Sequence, residues 1–277
     1  MDEAEAREAH LRARIRRAPR ALVAFSAGVD STYLLAVAHA ELGAAVTAVT
    51  ADSPSLARSS LAEARAFCAA RGIDHRVVPT SELDNPAYTA NDGQRCYHCK
   101  AELLDVMRAL PTESGAELWI GAIADDLADW RPGMKAAGER GAAFPLAEVG
   151  LTKAMIRTRS QALGLPTWDR PAEPCLSSRV PYGEPVTAEG LRMIEAAEAG
   201  LRTLGLRTCR ARHHAVGAGK AWLCRIEVPV ADLPAVLAQR EAVVAAVKAA
   251  GYAHAALDLA GFASGGFNAM LGKGPAA

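Results

Sequence analysis

The stretch that decides the fold is "ALVAFSAGVDSTYLLAVAHAELG", residues 21–43. The apolar run 21–25 has the pattern of a buried strand, and the run from Thr32 has the pattern of a helix. Between them stands "SAGVDS", residues 26–31. A strand–loop–helix junction presents backbone N–H groups that lack intrahelical acceptors, and these attract anions. Gly28 lets the chain approach a phosphate closely or take a positive φ, and Ser26 and Ser31 flank Val29 with hydroxyl donors. Asp30 is unfavourable beside a bare phosphate, so it either meets a magnesium ion bridging phosphates or caps the helix. A simple capped turn fits the same residues. Neither GxxxxGK[ST] nor GxGxxG is present.

Working outward, strands and helices alternate. "AVTAVTAD" (45–52) precedes the helical "SLARSSLAEARAFCAARG". "HRVVPT" (75–80) leads through a polar loop to the helix around "CKAELLDVMRAL", and "ELWIGAI" (117–123) is a further buried strand. Such a series predicts an α/β fold with a parallel sheet covered on both faces. Ligands then bind at the carboxyl ends of the strands, so "SAGVDS", "ADSPS" and "ADDLADWRPG" should face one crevice. Asp52 ends the second strand, where it either accepts from a nucleoside or caps the next helix through Ser53. Lys153, in "GLTKAMIR", opens a helix against its dipole, which turns it toward phosphates or leaves it in solvent.

A proline-rich loop follows at 165–187. Beyond it come a helix over 187–204, strands in "LRTCRARHH" and "AWLCRIEVPV", a single helix in "ADLPAVLAQREAVVAAVKAAG" and a last strand in "HAALDLAG". These predict a smaller α+β domain over 171–277 after a parallel-sheet domain over 1–170. The chain carries 31 basic and 31 acidic residues, a balance that argues against a nucleic-acid wrapper. No apolar run is long enough to span a membrane. The N-terminal "MDEAEAREAHLRARIRRAPR" lacks an apolar core and predicts a surface helix rather than a secretory signal. A cytoplasmic setting follows, with the six cysteines kept for packing or chemistry.

Those cysteines divide by context. Cys68, Cys209 and Cys224 fall in apolar patterns and are expected in the core. Cys96 and Cys99, in "RCYHCK", and Cys175, in "AEPCLSSRVPYG", lie in polar segments near Lys100 and Arg179. Cys-x2-Cys is open to three readings: structural zinc, a redox disulfide, or two of three ligands to an iron–sulfur cluster whose open iron carries a sulfide. No second close pair completes a zinc site, and His98 is poorly placed to do so.

The loop resembles the SGGxDS pyrophosphate loop of the ATP pyrophosphatase superfamily, with Ala27 in place of a glycine. Alanine there suits a negative φ, and its methyl is expected to crowd a phosphate. "ADSPSL", "RCYHCK", "PAEPCLSSRVPYGEPVT", "RARHH", "CRIEVP" and "LDLAGFASGGFN" extend the resemblance over 20–268 to the LarE family of ATP-dependent sulfur transferases.

That resemblance implies adenylylation of pyridinium-3,5-biscarboxylic acid mononucleotide with pyrophosphate release. Sulfur then displaces AMP to give the thiocarboxylate precursor of the nickel-pincer nucleotide of lactate racemase. It implies ATP binding at Ser26, Gly28, Val29, Asp30, Ser31, Asp52 and Lys153, with magnesium at Asp30. It implies a 4Fe–4S cluster on Cys96, Cys99 and Cys175, or else sacrifice of the Cys175 sulfur. Lys100, Ser178, Arg179, Arg210 and Arg212 are the substrate-phosphate candidates, the last two sharing one strand face. Asp125 and Asp126 either orient nucleotide or metal or cap their loop. Glu198 and Glu227 are expected to line a phosphate or metal site between subunits of a homo-oligomer, and Trp130 and Trp168 are expected to pack rather than bind.

Overall fold

The computed structural model describes residues 2–110, 115–128, 131–217, 221–263, 266, 267 and 270; Trp130 lies outside them. The chain divides into two compact units, Met1–Glu82 with Cys96–Glu173, and Leu83–Arg95 with Pro174–Ala277. In chain order its first half runs α1 (Glu3–Ile15), β1 (Ala21–Ala24), α2 (Val29–Leu42), β2 (Val46–Asp52), α3 (Arg58–Arg71) and β3 (Asp74–Pro79). Next come α4 (Pro86–Thr89), α5 (Arg95–Arg108), β4 (Glu117–Trp119), α6 (Pro132–Glu139), α7 (Pro145–Glu148) and α8 (Lys153–Ala162). The remainder is α9 (Ala188–Thr203), β5 (Arg210–Val216), β6 (Ala221–Glu227), α10 (Leu233–Ala238), α11 (Arg240–Ala249) and β7 (His254–Leu257).

The first unit is the expected α/β body, a parallel sheet of order β3-β2-β1-β4. Every residue of β1 is buried because both faces are covered. Ala21 and Val23 join Leu11, Ile15, Leu34, Leu35 and Ile156 in one core, while Leu22 and Ala24 join Val49, Leu104 and Met107 in the other. The period-two alternation of one short strand thus supplies both layers. Among the described residues no helix is long and apolar enough to cross a membrane.

Helix α1 departs from the expectation of a surface helix. Ala4, Glu8, Leu11 and Ile15 form a buried stripe along it. Tyr33 of α2 donates to Glu8 at 3.0 Å and Arg159 of α8 donates to it at 2.8 Å. Burial pushes the Glu8 carboxyl up, but hydrogen bonds from Arg159, Arg12 and Tyr33 outweigh that and hold it below the usual range. The partners that make the burial tolerable come from far along the chain.

The second unit pairs β5 antiparallel with β6, and β6 parallel with β7. Met193, Ala197 and Leu201 of α9 and Val243 and Val247 of α11 pack on Ala211, Cys224 and Ile226. The single helix expected over the last helical stretch is two, α10 and α11. Gln239 between them takes φ −115° and ψ 30°, and its side-chain amide donates to the Leu204 carbonyl at 3.3 Å.

Candidate functional site

The first candidate site is the turn from β1 into α2. Thr50 of β2 donates to the Phe25 carbonyl at 2.7 Å, and Arg170 donates to the Ala27 carbonyl at 3.0 Å. Ser31 Oγ donates to the Gly28 carbonyl and lies 3.2 Å from Ser26 Oγ. Gly28 is the N-cap of α2 and no side chain caps the helix, so Asp30 does not serve as a cap. Val29 opens the helix and is buried. The orphan donors of an uncapped N-terminus are receptive to anions. Gly121, beyond β4, closes the turn from the side. A Cβ there would lie 3.0 Å from the Ser31 nitrogen, a tight contact that would push on the turn backbone.

Two expectations for this turn are corrected. The positive φ falls on Ala27 (57°), while Gly28 keeps an ordinary −74°. The Ala27 methyl does not crowd the loop mouth, because it is buried in the core with Val23, Val29 and Leu151. Alanine is held in a left-handed conformation by the structure around it, at a cost of about 1–2 kcal/mol.

Asp30 finds its partner across the fold. Lys153, the first residue of α8, donates through Nζ to Oδ1 at 2.7 Å and Oδ2 at 2.5 Å. Its backbone N–H donates to Asp125 at 2.7 Å. Asp126 accepts from the Ile123 backbone and pairs with Arg131 at 2.8 Å. Burial pushes the Asp30 carboxyl up; Lys153 opposes this and the Asp126 charge adds to it. Both carboxylates are hard-oxygen donors of the kind magnesium takes, and each is paired with a cation, Asp30 with Lys153 and Asp126 with Arg131. Asp52 pairs with Arg58, which also binds the Ser53 and Leu56 carbonyls at 2.6 and 2.8 Å. No side chain caps α3, so the capping alternative for Asp52 falls away.

The second candidate site is the loop bearing Cys175, within the second unit. The Cys175 side chain is exposed, and its sulfur lies 3.2 Å from Ser177 Oγ. Arg179 is 2% exposed and binds Glu198 through Nε at 2.8 Å and Nη2 at 3.1 Å. Its Nη1 donates to the carbonyls of Pro174 at 2.5 Å and Cys175 at 3.1 Å and to Ser178 Oγ at 2.9 Å. The guanidinium expected on a phosphate is thus committed to holding this loop. Burial pushes the Glu198 carboxyl up, but the hydrogen bonds and charge of Arg179, with the charges of Arg210 and Arg202, together outweigh it and hold the carboxyl below its usual range.

Arg210 and Arg212 do share one face of β5, but that face is buried. Arg212 binds the Ser178 carbonyl at 3.0 Å and Glu227 at 2.7 Å, and its Nε is a buried donor without a partner among the described residues. Arg210 lies over the Phe262 ring.

The thiols separate as their contexts predict. Burial pushes Cys68 up to about 11, and Cys209 and Cys224 up to about 12, which leaves them inert. Cys96 and Cys99 lie within the first turns of α5 rather than in a loop before it, one face apart by three residues, with half-buried Lys100 beside them. His98 between them stacks edge-on with Tyr97. Among the described residues no three His, Cys, Asp or Glu side chains are grouped to hold a metal ion. Trp168 is partly exposed and offers its carbonyl to Arg157 at 2.8 Å. Sequence reasoning missed Ser177, Arg170 and Gly121. Only Ser177 had a signal, its place two residues from Cys175.

An uncapped helix start at the carboxyl end of a central parallel strand, with an aspartate–lysine pair across it, defines an α/β protein equipped to take an anionic ligand. No protein-family model matches the chain. The chain is 44% identical over 257 residues to the Uncharacterized protein slr1717 of Synechocystis sp., covering 92% of this chain and 94% of that protein. It is 33% identical over 269 residues to the pyridinium-3,5-bisthiocarboxylic acid mononucleotide synthase of Lactiplantibacillus plantarum, covering 96% and 95%. The chain belongs to the family of that synthase, the LarE family.

Proposed function

We propose that this protein uses ATP to activate a carboxylate of pyridinium-3,5-biscarboxylic acid mononucleotide and then replaces the activated oxygen with sulfur. The observation that carries this is the Asp30–Lys153 pair at the uncapped start of α2, in a chain 33% identical to a pyridinium-3,5-bisthiocarboxylic acid mononucleotide synthase over nearly its whole length. A carboxylate is a poor electrophile. Its oxygen attacks the α-phosphorus of ATP, pyrophosphate leaves, and the acyl-adenylate now carries a good leaving group. The α2 N–H groups and Lys153 receive the departing pyrophosphate. Asp30, with Asp126 near it, would hold magnesium, which neutralises charge on the phosphates. In this reading the first unit is an ATP pyrophosphatase domain, and Asp52 faces the nucleoside.

A sulfur nucleophile then attacks the acyl carbon, a carbon–sulfur bond forms and AMP leaves. We assign that sulfur to Cys175, the exposed thiol on the loop held by Arg179. If the thiol is sacrificial, loss of its α-proton breaks the Cβ–Sγ bond, leaving dehydroalanine and the thiocarboxylate. Were Cys96, Cys99 and Cys175 to hold a 4Fe–4S cluster, the cluster would supply the sulfur in place of the thiol.

The test is anaerobic turnover with ATP and the mononucleotide. Pyrophosphate, AMP and thiocarboxylate should all appear, and Cys175→Ala should form no thiocarboxylate. Iron, zinc and sulfide analysis, with the protein mass before and after turnover, separates the two sulfur sources. Wild-type protein that releases no pyrophosphate overturns the assignment.

A further inference from the structure

We infer that Tyr88 and Ser177 form a hydrogen-bond relay to the Cys175 sulfur, in which Ser177 aims its hydroxyl proton at Sγ and Tyr88 fixes that direction. The inference rests on Cys175 being the sulfur-bearing residue, as proposed above. The Tyr88 hydroxyl donates to Ser177 Oγ at 3.0 Å, and Ser177 Oγ lies 3.2 Å from Cys175 Sγ. Tyr88 and Ser177 are fully buried, whereas Cys175 is exposed. By donating, Tyr88 occupies a lone pair of Ser177, and the Ser177 proton is left to point at the sulfur.

The backbone of this turn is fixed as firmly as its hydroxyls. Arg95 Nη1 donates to the Ser177 carbonyl at 2.9 Å and also binds Asn91 Oδ1. Asn91 Nδ2 in turn donates to the carbonyls of Pro181 at 2.7 Å and Glu184 at 2.8 Å. Residues 88, 91 and 95 thus form one cradle beneath the Cys175 loop, which accounts for the grouping of Leu83–Arg95 with the second unit. A donor already buried and oriented needs no reorganisation when charge appears on its acceptor. Hydrogen bonds to a charged acceptor are also the stronger kind. Ser177 therefore touches the reacting atom, and Tyr88 is a positioning residue acting through it.

The experiment is alkylation of the full chain with limiting iodoacetamide, read peptide by peptide by mass spectrometry. Exposed Cys96 serves as the internal reference. Ser177→Ala should slow Cys175 relative to Cys96 by about tenfold, and Tyr88→Phe by about threefold, as loss of a hydrogen bond to a charged group implies. Ser177→Thr, which restores a hydroxyl, should recover most of the rate. A folded Ser177→Ala protein alkylated at the wild-type rate overturns the relay. So does Ser177→Thr as slow as Ser177→Ala, which marks a packing role. Should Ser177→Ala not fold, Tyr88→Phe decides alone, and an unchanged rate there is fatal. Alkylation needs neither ATP nor the mononucleotide, so this outcome is separate from the pyrophosphate test of the function.

Discussion

The turn at 26–31 and the loop at 174–180 both carry an acid–base pair, and they use it in opposite ways. Asp30 and Lys153 are 23% and 41% exposed, and the ammonium sits beside helix donors that no side chain caps. Arg179 and Glu198 are 2% and 1% exposed, and the guanidinium is spent on the backbone that carries Cys175. A partly wet pair can be exchanged for a charged ligand at little cost. A dry pair cannot be opened without leaving a buried charge. The first loop is arranged to exchange partners, the second to keep its shape while presenting one sulfur.

Breaking each pair measures this difference directly. Arg179→Ala removes the two-point partner of the buried Glu198 and leaves it Arg202 at 3.0 Å, the Ala211 N–H at 3.2 Å and the nearby charge of Arg210. Urea unfolding should report a loss of about 3–5 kcal/mol. Lys153→Ala removes a partly exposed partner and should cost about 1 kcal/mol or less. Equal losses from the two substitutions would erase the contrast between the loops.

The second unit also carries a group that makes it sensitive to acid. His213 stacks on Trp222 at 4.2 Å, receives or donates at 3.0 Å with the Tyr252 hydroxyl, and is pushed down to about 4 by burial, helped by His214. An unfolded histidine titrates near 6.5. Between those values the unfolded chain binds a proton that the folded one refuses. Stability from neutral His213 is therefore complete above about pH 6.5 and is lost as pH falls toward 4, by up to about 3 kcal/mol. Urea midpoints measured from pH 7 to pH 4.5 should fall, and His213→Gln should flatten the slope. An unchanged slope in that variant would reassign the acid sensitivity.

How much of this was visible in the letters follows from distance along the chain. The parallel sheet and the turn at 26–31 were legible because strand and helix periods are local. Burial of Cys68, Cys209 and Cys224 was legible for the same reason. The fate of Arg179 was not, since Glu198 lies a helix away and a guanidinium beside a cysteine suits a phosphate equally well. Burial of α1 depended on Arg159, reached only after the whole sheet is laid down. The Cys175 relay depended on Tyr88, a residue with no motif around it. Long-range polar pairing has no periodicity, so sequence patterns carry no trace of it.

The smallest effect bears on the turn alone and asks why it holds Ala27 at φ 57°. Relieving a left-handed alanine with glycine should recover about 1–2 kcal/mol. Against that, the Ala27 methyl is buried in the core, and losing it forfeits roughly 0.8 kcal/mol. Glycine also frees the unfolded chain, at a further cost of about 0.4–1 kcal/mol. The terms nearly cancel, so Ala27→Gly should change the unfolding free energy read from urea denaturation by less than about 1 kcal/mol, and alanine is tolerated because its methyl points inward. Ala27→Val keeps the inward branch but adds β-branching where φ is positive, and it should be clearly destabilising. If Ala27→Gly instead stabilises by the full strain energy, the methyl contributes nothing to the core. The turn would then resemble the rigid Cys175 loop less than its buried anchor implies.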